Sequence, residues 1–235
     1  MPTDSARSRL AALARQHDLD KAVADRLSIF LEALRSDPLA PTSVTDPDAA
    51  VDAHVADSLA ALDLAAVRAA GTLVDIGSGA GLPGIPLAAA LPRAKTTLVE
   101  SDFHKCTFLE ATARRTGLEN VEIACTRVEG WTATEGGVDV ALARAIGPQS
   151  VVLEYAAPLL RAGGVLVDWR GTRVAEEEAS SLRAAAELGL ELREIRSVEP
   201  FAGARDHHLH VFEKVRPTPD RFPRRAGAAR KRPLG

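Results

Sequence analysis

Thr72-Leu73-Val74-Asp75-Ile76-Gly77-Ser78-Gly79-Ala80-Gly81-Leu82-Pro83-Gly84 is the stretch from which the rest of this sequence can be read. Leu73, Val74 and Ile76 form the apolar run of a short buried strand, and Asp75 sits near its carboxyl end. The glycines predict a tight turn whose bare backbone admits a ligand, and a helix is predicted to begin at Pro83 and run to Leu91. A strand feeding a Gly-rich turn and a helix amino terminus is a nucleotide-site geometry of open α/β sheets. Gly79-x-Gly81-x-x-Gly84 also fits the dinucleotide pattern, and Glu100, 21 positions beyond Gly79, fits its ribose-binding acid.

A second pattern starts earlier. Asp75-x-Gly77-x-Gly79-x-Gly81 begins directly at the end of the strand and resembles the S-adenosylmethionine (SAM) loop of class I methyltransferases. That register favours SAM, because a dinucleotide loop normally begins at the first glycine after its strand. The expected fold is therefore α/β, a Rossmann-like class I methyltransferase sheet. To it the sequence adds an amino-terminal helical extension (residues 1–70) and a basic carboxyl-terminal tail (216–235), flanking the SAM-binding domain (71–215).

Outward from the loop, the amino-terminal side reads as helix. Leu10, Leu13 and Ala14 keep helical spacing, as do Val23, Leu27, Phe30, Leu31 and Leu34, and Asp37-Pro38 ends the second helix. After a loop rich in Pro, Ser and Thr, a third helix is capped by Asp46 or Asp48 and carries Val51, Val55, Leu59 and Leu62 on one face. His54 and Asp57 lie three apart on the same side of it. They lack partners for a metal, and substrate-facing, capping and surface roles all remain open.

On the carboxyl side strand and helix alternate, the mark of a parallel sheet built by crossovers. Strands are predicted at 96–100, 121–125, 138–143 and 164–169, and helices at 103–116, 150–160 and 174–188. Two further strands, 190–198 and 208–215, are expected to be neighbours and antiparallel, an ending typical of methyltransferases.

The 235 residues suffice for one domain with extensions. No apolar run approaches a membrane span and the first twenty residues carry no signal-peptide core, so a cytoplasmic protein is expected. Cys106 and Cys125 form neither a disulfide framework nor a metal pattern and are expected to be small buried thiols. The formal charge of −3 divides unevenly: residues 216–235 carry net +6, leaving −9 on the rest. A basic tail on an acidic body points to a polyanionic partner.

In such a sheet the ligand sits at the carboxyl ends of the strands, at the switch point between the first and fourth. Gly77 and Gly79 permit close approach of the cofactor and Leu82 can pack near it. Glu100 can accept ribose hydroxyls, and Val128-Glu129 can supply a backbone N–H and an acceptor to the edge of adenine. The fourth strand ends in Ala143-Arg144-Ala145-Ile146-Gly147-Pro148. That loop lacks the Asp/Asn-Pro-Pro-aromatic signature of exocyclic-amine methylation, and neither cysteine is placed for cytosine C5 chemistry. A ring nitrogen with its own lone pair, such as guanine N7, needs no general base, so no catalytic acid, base or metal is expected. Arg144 could bind the cofactor carboxylate, a phosphate or guanine O6, or form a structural salt bridge.

Taken together these stretches resemble the RsmG (GidB) family, bacterial SAM-dependent enzymes that modify N7 of a guanine at position 527 of 16S rRNA, near the decoding centre. The resemblance rests on His54-Val55-Ala56-Asp57-Ser58, on Asp75 to Leu87 with its specific Gly-Leu-Pro-Gly-Ile-Pro extension, and on Lys105-x-x-Phe108-Leu109. Arg127-Val128-Glu129, Ala143-Arg144-Ala145 and His208-Leu209-x-Val211 complete it. It implies SAM contacts at Gly77, Leu82, Val128, Glu129 and Arg144, and 16S rRNA or the small ribosomal subunit as partner of a monomeric enzyme. The departures are Pro41-Thr42-Ser43-Val44 in place of the family's Asn-Leu-Thr, Ala53 before His54, His207 in place of Arg, and Arg170-Gly171 in place of Lys-Gly. Lys105, Arg170, Arg224, Arg225, Arg230, Lys231 and Arg232 are the candidate RNA contacts, the last five on a tail expected to be a disordered or surface-draped arm. Methylation of a small molecule or protein, and a non-catalytic RNA-binding relative, are the alternatives.

Overall fold

The computed structural model describes residues 3–44, 46–133 and 136–235. Two helices open the chain, α1 (Asp4–Gln16), capped by the Thr3 hydroxyl accepting from the Ala6 N–H, and α2 (Lys21–Ser36). Asp46 caps the next helical run through the Ala49 N–H. That run is α3 (Pro47–Ala50), a π-helical turn (Val51–Ala56), α4 (Asp57–Leu59) and a 3-10 turn (Ala60–Asp63), followed by α5 (Ala65–Arg68). Val51, Val55, Leu59 and Leu62 are all buried, as their spacing predicts. The wider π turn buries His54 as well as Val55, and Asp57 and Ser58 follow inside.

The sheet begins at β1 (Thr72–Ile76) and α6 (Gly84–Ala90), then β2 (Lys95–Glu100), α7 (Phe103–Thr116) and β3 (Val121–Cys125). A 3-10 turn (Val128–Gly130) precedes β4 (Val138–Arg144), α8 (Gln149–Ala156), β5 (Leu160–Arg170), α9 (Ala175–Leu188), β6 (Leu190–Val198) and β7 (His207–Lys214). The strand order is β3-β2-β1-β4-β5-β7-β6. The first five strands are parallel, and β7 enters antiparallel between β5 and β6. The chain reverses its direction of winding between β1 and β4, so the crevice predicted to hold a ligand opens at the carboxyl ends of those two strands.

One face of the sheet is covered by the amino-terminal helices together with α6 and α7: Leu10, Phe30, Leu59, Ile85 and Phe108 share a continuous core with Leu73, Leu98, Val140 and Val167. The extension is thus a layer of the same core. On the other face α8 and α9 pack over Val74, Ala141, Leu166 and Phe212.

Two expectations are corrected. Cys106 and Cys125 are joined as a disulfide and are not free thiols. Register explains it: Cys125 pairs with Glu100 across β2 and β3, and Cys106 lies one turn into the helix that leaves β2, which brings the Cα atoms to 5.8 Å. The tail, open in sequence between a disordered and a surface-draped arm, is draped on the body, and only the disordered alternative is corrected. Phe222 and Ala229 are buried in the second core, and a short helix, α10 (Ala228–Lys231), packs against α8. A few apolar side chains spread among arginines escape a composition argument but suffice to anchor a segment whose charges find partners. Among the described residues no helix is long and apolar enough to cross a membrane.

Candidate functional site

The glycine loop is built around Asp75. Its carboxylate is fully buried and accepts the Gly84 N–H at 3.0 Å, tying the start of α6 back to β1. A Cβ on Gly84 would stand 2.4 Å from Leu98 and 2.7 Å from that carboxylate, so only glycine allows the closure. Burial pushes the Asp75 carboxyl up to about 7, against the pull of the Gly84 and Ser78 hydrogen bonds and the Arg144 charge. Gly77 and Gly79 have φ of +63° and +54°, and a Cβ on Gly79 would meet nothing nearer than the Gly77 carbonyl at 3.8 Å. The loop's backbone is thus left-handed and open toward the cleft, as a close-approaching ligand requires. Leu82 is buried beside it.

Glu100, at the end of β2, accepts the Gly79 N–H at 3.0 Å on one oxygen and the Ser101 and Asp102 N–H groups at 2.6 and 2.9 Å on the other. A carboxylate has about four lone-pair directions, so three backbone donors leave room for one more partner. The acid expected to face ribose therefore also braces the loop, a task its spacing alone does not reveal.

A cavity of about 160 Å³ runs from Ile76 and Gly77 past Val99 and Ser101 to Thr126–Glu129 and Ile146, with Tyr155 and Arg230 on its far side. Gly77, Val128 and Glu129 line it as predicted, and Ile146 comes from the loop after β4, within 3.5 Å of where a Gly77 Cβ would stand. A Cβ at Gly77 would meet Ile146 at ordinary contact distance, so the constraint on this position is its left-handed φ of +63°. The sequence pattern does not assign Ser101, Ile146 or Tyr155 to the cofactor site, and it assigns Arg230 to RNA. Ser101 follows Glu100 directly and Tyr155 is the single tyrosine, but nothing local signals that Arg230 returns here. Larger hollows lie elsewhere, one of about 560 Å³ beside α1 and α2. They lack the switch-point position, and chemistry, not size, assigns the site.

Arg144 ends β4 and donates to the Asp57 carboxylate at 2.7 Å, with His207 Nδ1 3.0 Å from the other oxygen and Trp169 Nε1–H donating to the Asp57 carbonyl at 3.0 Å. His54 contacts the Thr42 hydroxyl at 2.9 Å, and burial followed by the Arg144 charge holds its pKa below the ordinary value. Surface roles for His54 and Asp57 are therefore excluded: both are buried where the helical extension meets the catalytic ends of β4, β5 and β7. Two of the departures noted in the sequence thus contact the matching His54–Ser58 stretch, Thr42 through His54 and His207 through Asp57. Immediately after Arg144, Ala145 adopts φ +57°, a left-handed residue that turns the loop toward the glycine-rich turn.

The proposed RNA cations divide. Lys105 is half-buried in the first turn of α7, and Arg225, Lys231 and Arg232 are exposed. Arg170 is not an open cation: it donates to the Gly147 carbonyl at 2.8 Å and lies near Glu177 and Asp168, pinning the loop after β4. Arg224 is likewise engaged, donating to the buried Glu154 carboxylate at 2.5–3.1 Å. Beneath Arg170, Gln149 bridges Asp168 and His210, both buried. Burial raises Asp168 to about 7 and lowers His210 to about 4. Among the described residues no group of three or more His, Cys, Asp or Glu is placed to hold a metal ion.

Comparison with known proteins agrees with this geometry. The Aeropyrum pernix fibrillarin solved with natively bound SAM shares the fold at a TM-score of 0.54 and 20% identity, covering 67% of this chain and 72% of that one. A mutant form of the 16S rRNA (adenine(1408)-N(1))-methyltransferase from Catenulisporales acidiphilia does so at 0.53 and 18%, covering 66% and 89%. Nearer in sequence, a ribosomal RNA small subunit methyltransferase G of Rubrobacter xylanophilus is 40% identical over 80% of this chain and 75% of its own. One of Carboxydothermus hydrogenoformans is 38% identical over 82% and 83%. The model of the GidB family, rRNA small subunit methyltransferase G, matches residues 36–207, from the end of α2 to the start of β7, and the chain belongs to that family.

Proposed function

We propose that this protein transfers a methyl group from SAM to N7 of a guanine in 16S rRNA, at position 527 near the decoding centre, acting in the cytoplasm on RNA of the small subunit. Its family is one of SAM-dependent rRNA methyltransferases, and the site fits that cofactor. Gly77, Gly79, Leu82, Glu100, Val128, Glu129 and Arg144 are the residues that would hold it. SAM, when bound, supplies an electrophilic methyl group on a sulfonium.

The observation that carries the reading is that Asp57 and Glu100, at the strand ends, are already engaged, while Asp75 is fully buried behind the turn. Asp57 is held by Arg144 and His207, and Glu100 by three backbone donors. Cys106 and Cys125 are bonded to each other, so neither offers the thiolate that C5 methylation requires. Such a site suits a nucleophile that arrives with a free lone pair, which guanine N7 does. The protein's part is then to position the base and exclude water: the left-handed glycine turn admits the cofactor, the Arg144–Asp57 pair holds the end of β4, and Arg170 pins the loop that follows it.

Mass mapping of 16S rRNA from a strain lacking the protein should show one methyl group missing at that guanine, restored by adding protein and SAM to the undermethylated subunits. Full methylation there without the protein would overturn the assignment, and transfer to free small molecules alone would favour the other substrate class.

A further inference from the structure

The carboxyl-terminal segment is held at three points, one on α8 beside the cofactor cleft and two on residues that line it. Arg224 reaches Glu154 on α8 with its backbone N–H at 3.1 Å and its guanidinium at 2.5–3.1 Å. The Glu154 carboxylate is 1% exposed, and a buried carboxylate is tolerated only when paired, so α8 has a built-in demand for this part of the tail. Next, Gly227, left-handed at φ +78°, donates its N–H to Glu129 Oε1 at 2.8 Å. Glu129 belongs to the turn predicted to meet adenine, so the tail fixes one of its carboxylate oxygens. Then α10 carries Arg230 to the rim of the 160 Å³ cavity, opposite Gly77 and beside Tyr155. Tyr155 lies between Glu129 and Arg230: burial and the Glu129 charge raise its pKa, and a hydrogen bond to Arg230 opposes them.

We propose that residues 217–235 form the outer wall of the cofactor pocket, with Arg230 as a cofactor-binding residue and the Arg224–Glu154 and Gly227–Glu129 contacts as the latch that holds it in place. This rests on the cofactor of the proposed function being SAM. The inward and outward cations of one segment then have separate tasks. Arg230 faces the cleft, while Arg225, Lys231 and Arg232 face solvent, where rRNA phosphates could reach them. A wall that contacts the cofactor is also stabilised by it, because linkage between two sites is reciprocal.

Two measurements on the full-length protein test this. Calorimetry with SAM should show binding about tenfold weaker for Arg230→Ala, the size expected for losing one charged hydrogen-bond or stacking partner. Arg230 is exposed and its contacts are to Tyr155 and, at 3.4 Å, the Ile146 carbonyl, so unfolding by urea checks that the truncated protein keeps the parent's stability, while the triple variant Arg225→Ala/Lys231→Ala/Arg232→Ala should bind SAM as the parent does. In limited trypsin digestion followed by mass spectrometry, saturating SAM should slow cleavage after Arg224, Arg225 and Arg230 in the parent at least severalfold. Parent-like affinity in Arg230→Ala overturns the proposal, as does tail cleavage indifferent to SAM, even if Arg230→Ala weakens binding to RNA. Failure of the parent itself to bind SAM would instead strike at the cofactor reading.

Discussion

The inner and outer walls of the cleft are made from different kinds of sequence. The inner wall is the glycine turn, thirteen consecutive residues whose conformation is forced by local chemistry. Three glycines sit at positive φ (Gly77, Gly79 and Gly81), Asp75 closes on Gly84, and Gly84 has no room for a side chain. The outer wall is assembled from Glu129, Ile146, Tyr155 and Arg230, which are far apart along the chain and reach one another only through packing of α8 and α10. The inner wall has little room for substitution, and its few partners outside the turn, Glu100 and Val99, both lie on the neighbouring strand β2. The outer wall depends on distant supports, the Arg224–Glu154 and Gly227–Glu129 contacts. The difference teaches that a cofactor site can be read in sequence from one side while the other stays hidden.

The largest effect should fall on the inner wall. Gly79→Val places a β-branched side chain at φ +54°, where L-residues are strained, and points it into the cleft. SAM affinity should fall more than a hundredfold, about 3 kcal/mol or more, with the circular dichroism of the folded protein unchanged. Calorimetry with SAM and NAD in parallel also tests the choice of ligand, since saturable NAD binding in place of SAM would reverse it.

Next in size is the floor that joins the helical extension to the sheet. Asp57→Ala leaves Arg144 and His207 without their acceptor in a largely buried site. Removing one member of such a pair should cost about 2–3 kcal/mol in urea unfolding. An unchanged midpoint would mean that the extension docks through apolar contacts alone.

Glu100→Ala is comparable or slightly smaller in effect. It removes the acceptor of the Gly79 N–H as well as an expected ribose contact, so SAM binding should weaken by about 2 kcal/mol, roughly thirtyfold. Glu100→Gln keeps an acceptor for Gly79 and should lose less. Equal losses in the two variants would show that charge, and not loop bracing, dominates.

A pH comparison probes Asp75. Its folded-state pKa of about 7 lies above its reference value of 3.8, so the unfolded chain releases this proton first. Its contribution to stability is full below about pH 4 and declines as pH rises toward 7. Asp168, also raised to about 7, acts in the same direction, whereas His210, lowered to about 4, works oppositely between about pH 4 and 6.5. Asp75→Asn isolates the first group: its stability relative to the parent should rise by about 2 kcal/mol between pH 5 and 8. Equal pH profiles in urea would place the Asp75 proton elsewhere.

The smallest effect concerns the outward face of the tail. Replacing Arg225, Lys231 and Arg232 by alanine should lower the slope of log K against log salt for small-subunit binding by about 2–3. Equal slopes would leave these cations to solvent.

The sequence by itself determined the sheet, the site's inner wall and the family. Periodicity placed the helices and strands because a half-buried element must repeat its apolar residues at its own pitch, and the glycine turn is legible because its closure, Asp75 onto the Gly84 N–H, lies within one short stretch, with Val99 and Glu100 on the next strand as its outside braces. It also placed the functional strand ends, because the switch point follows from connection order alone. Other assignments needed the folded chain. Arg144 offered three ligand partners or a structural salt bridge in sequence, and tertiary packing supplied the salt bridge, to Asp57, 87 residues away. The cysteines were distant in pattern and adjacent in register, and the π turn that buries His54 has no signature in composition. The tail misled most, because net charge counts cations without their partners. Glu154, Glu129 and a buried Phe222 lie scattered along the chain, and only the fold brings them to one surface where a basic segment can become part of a pocket.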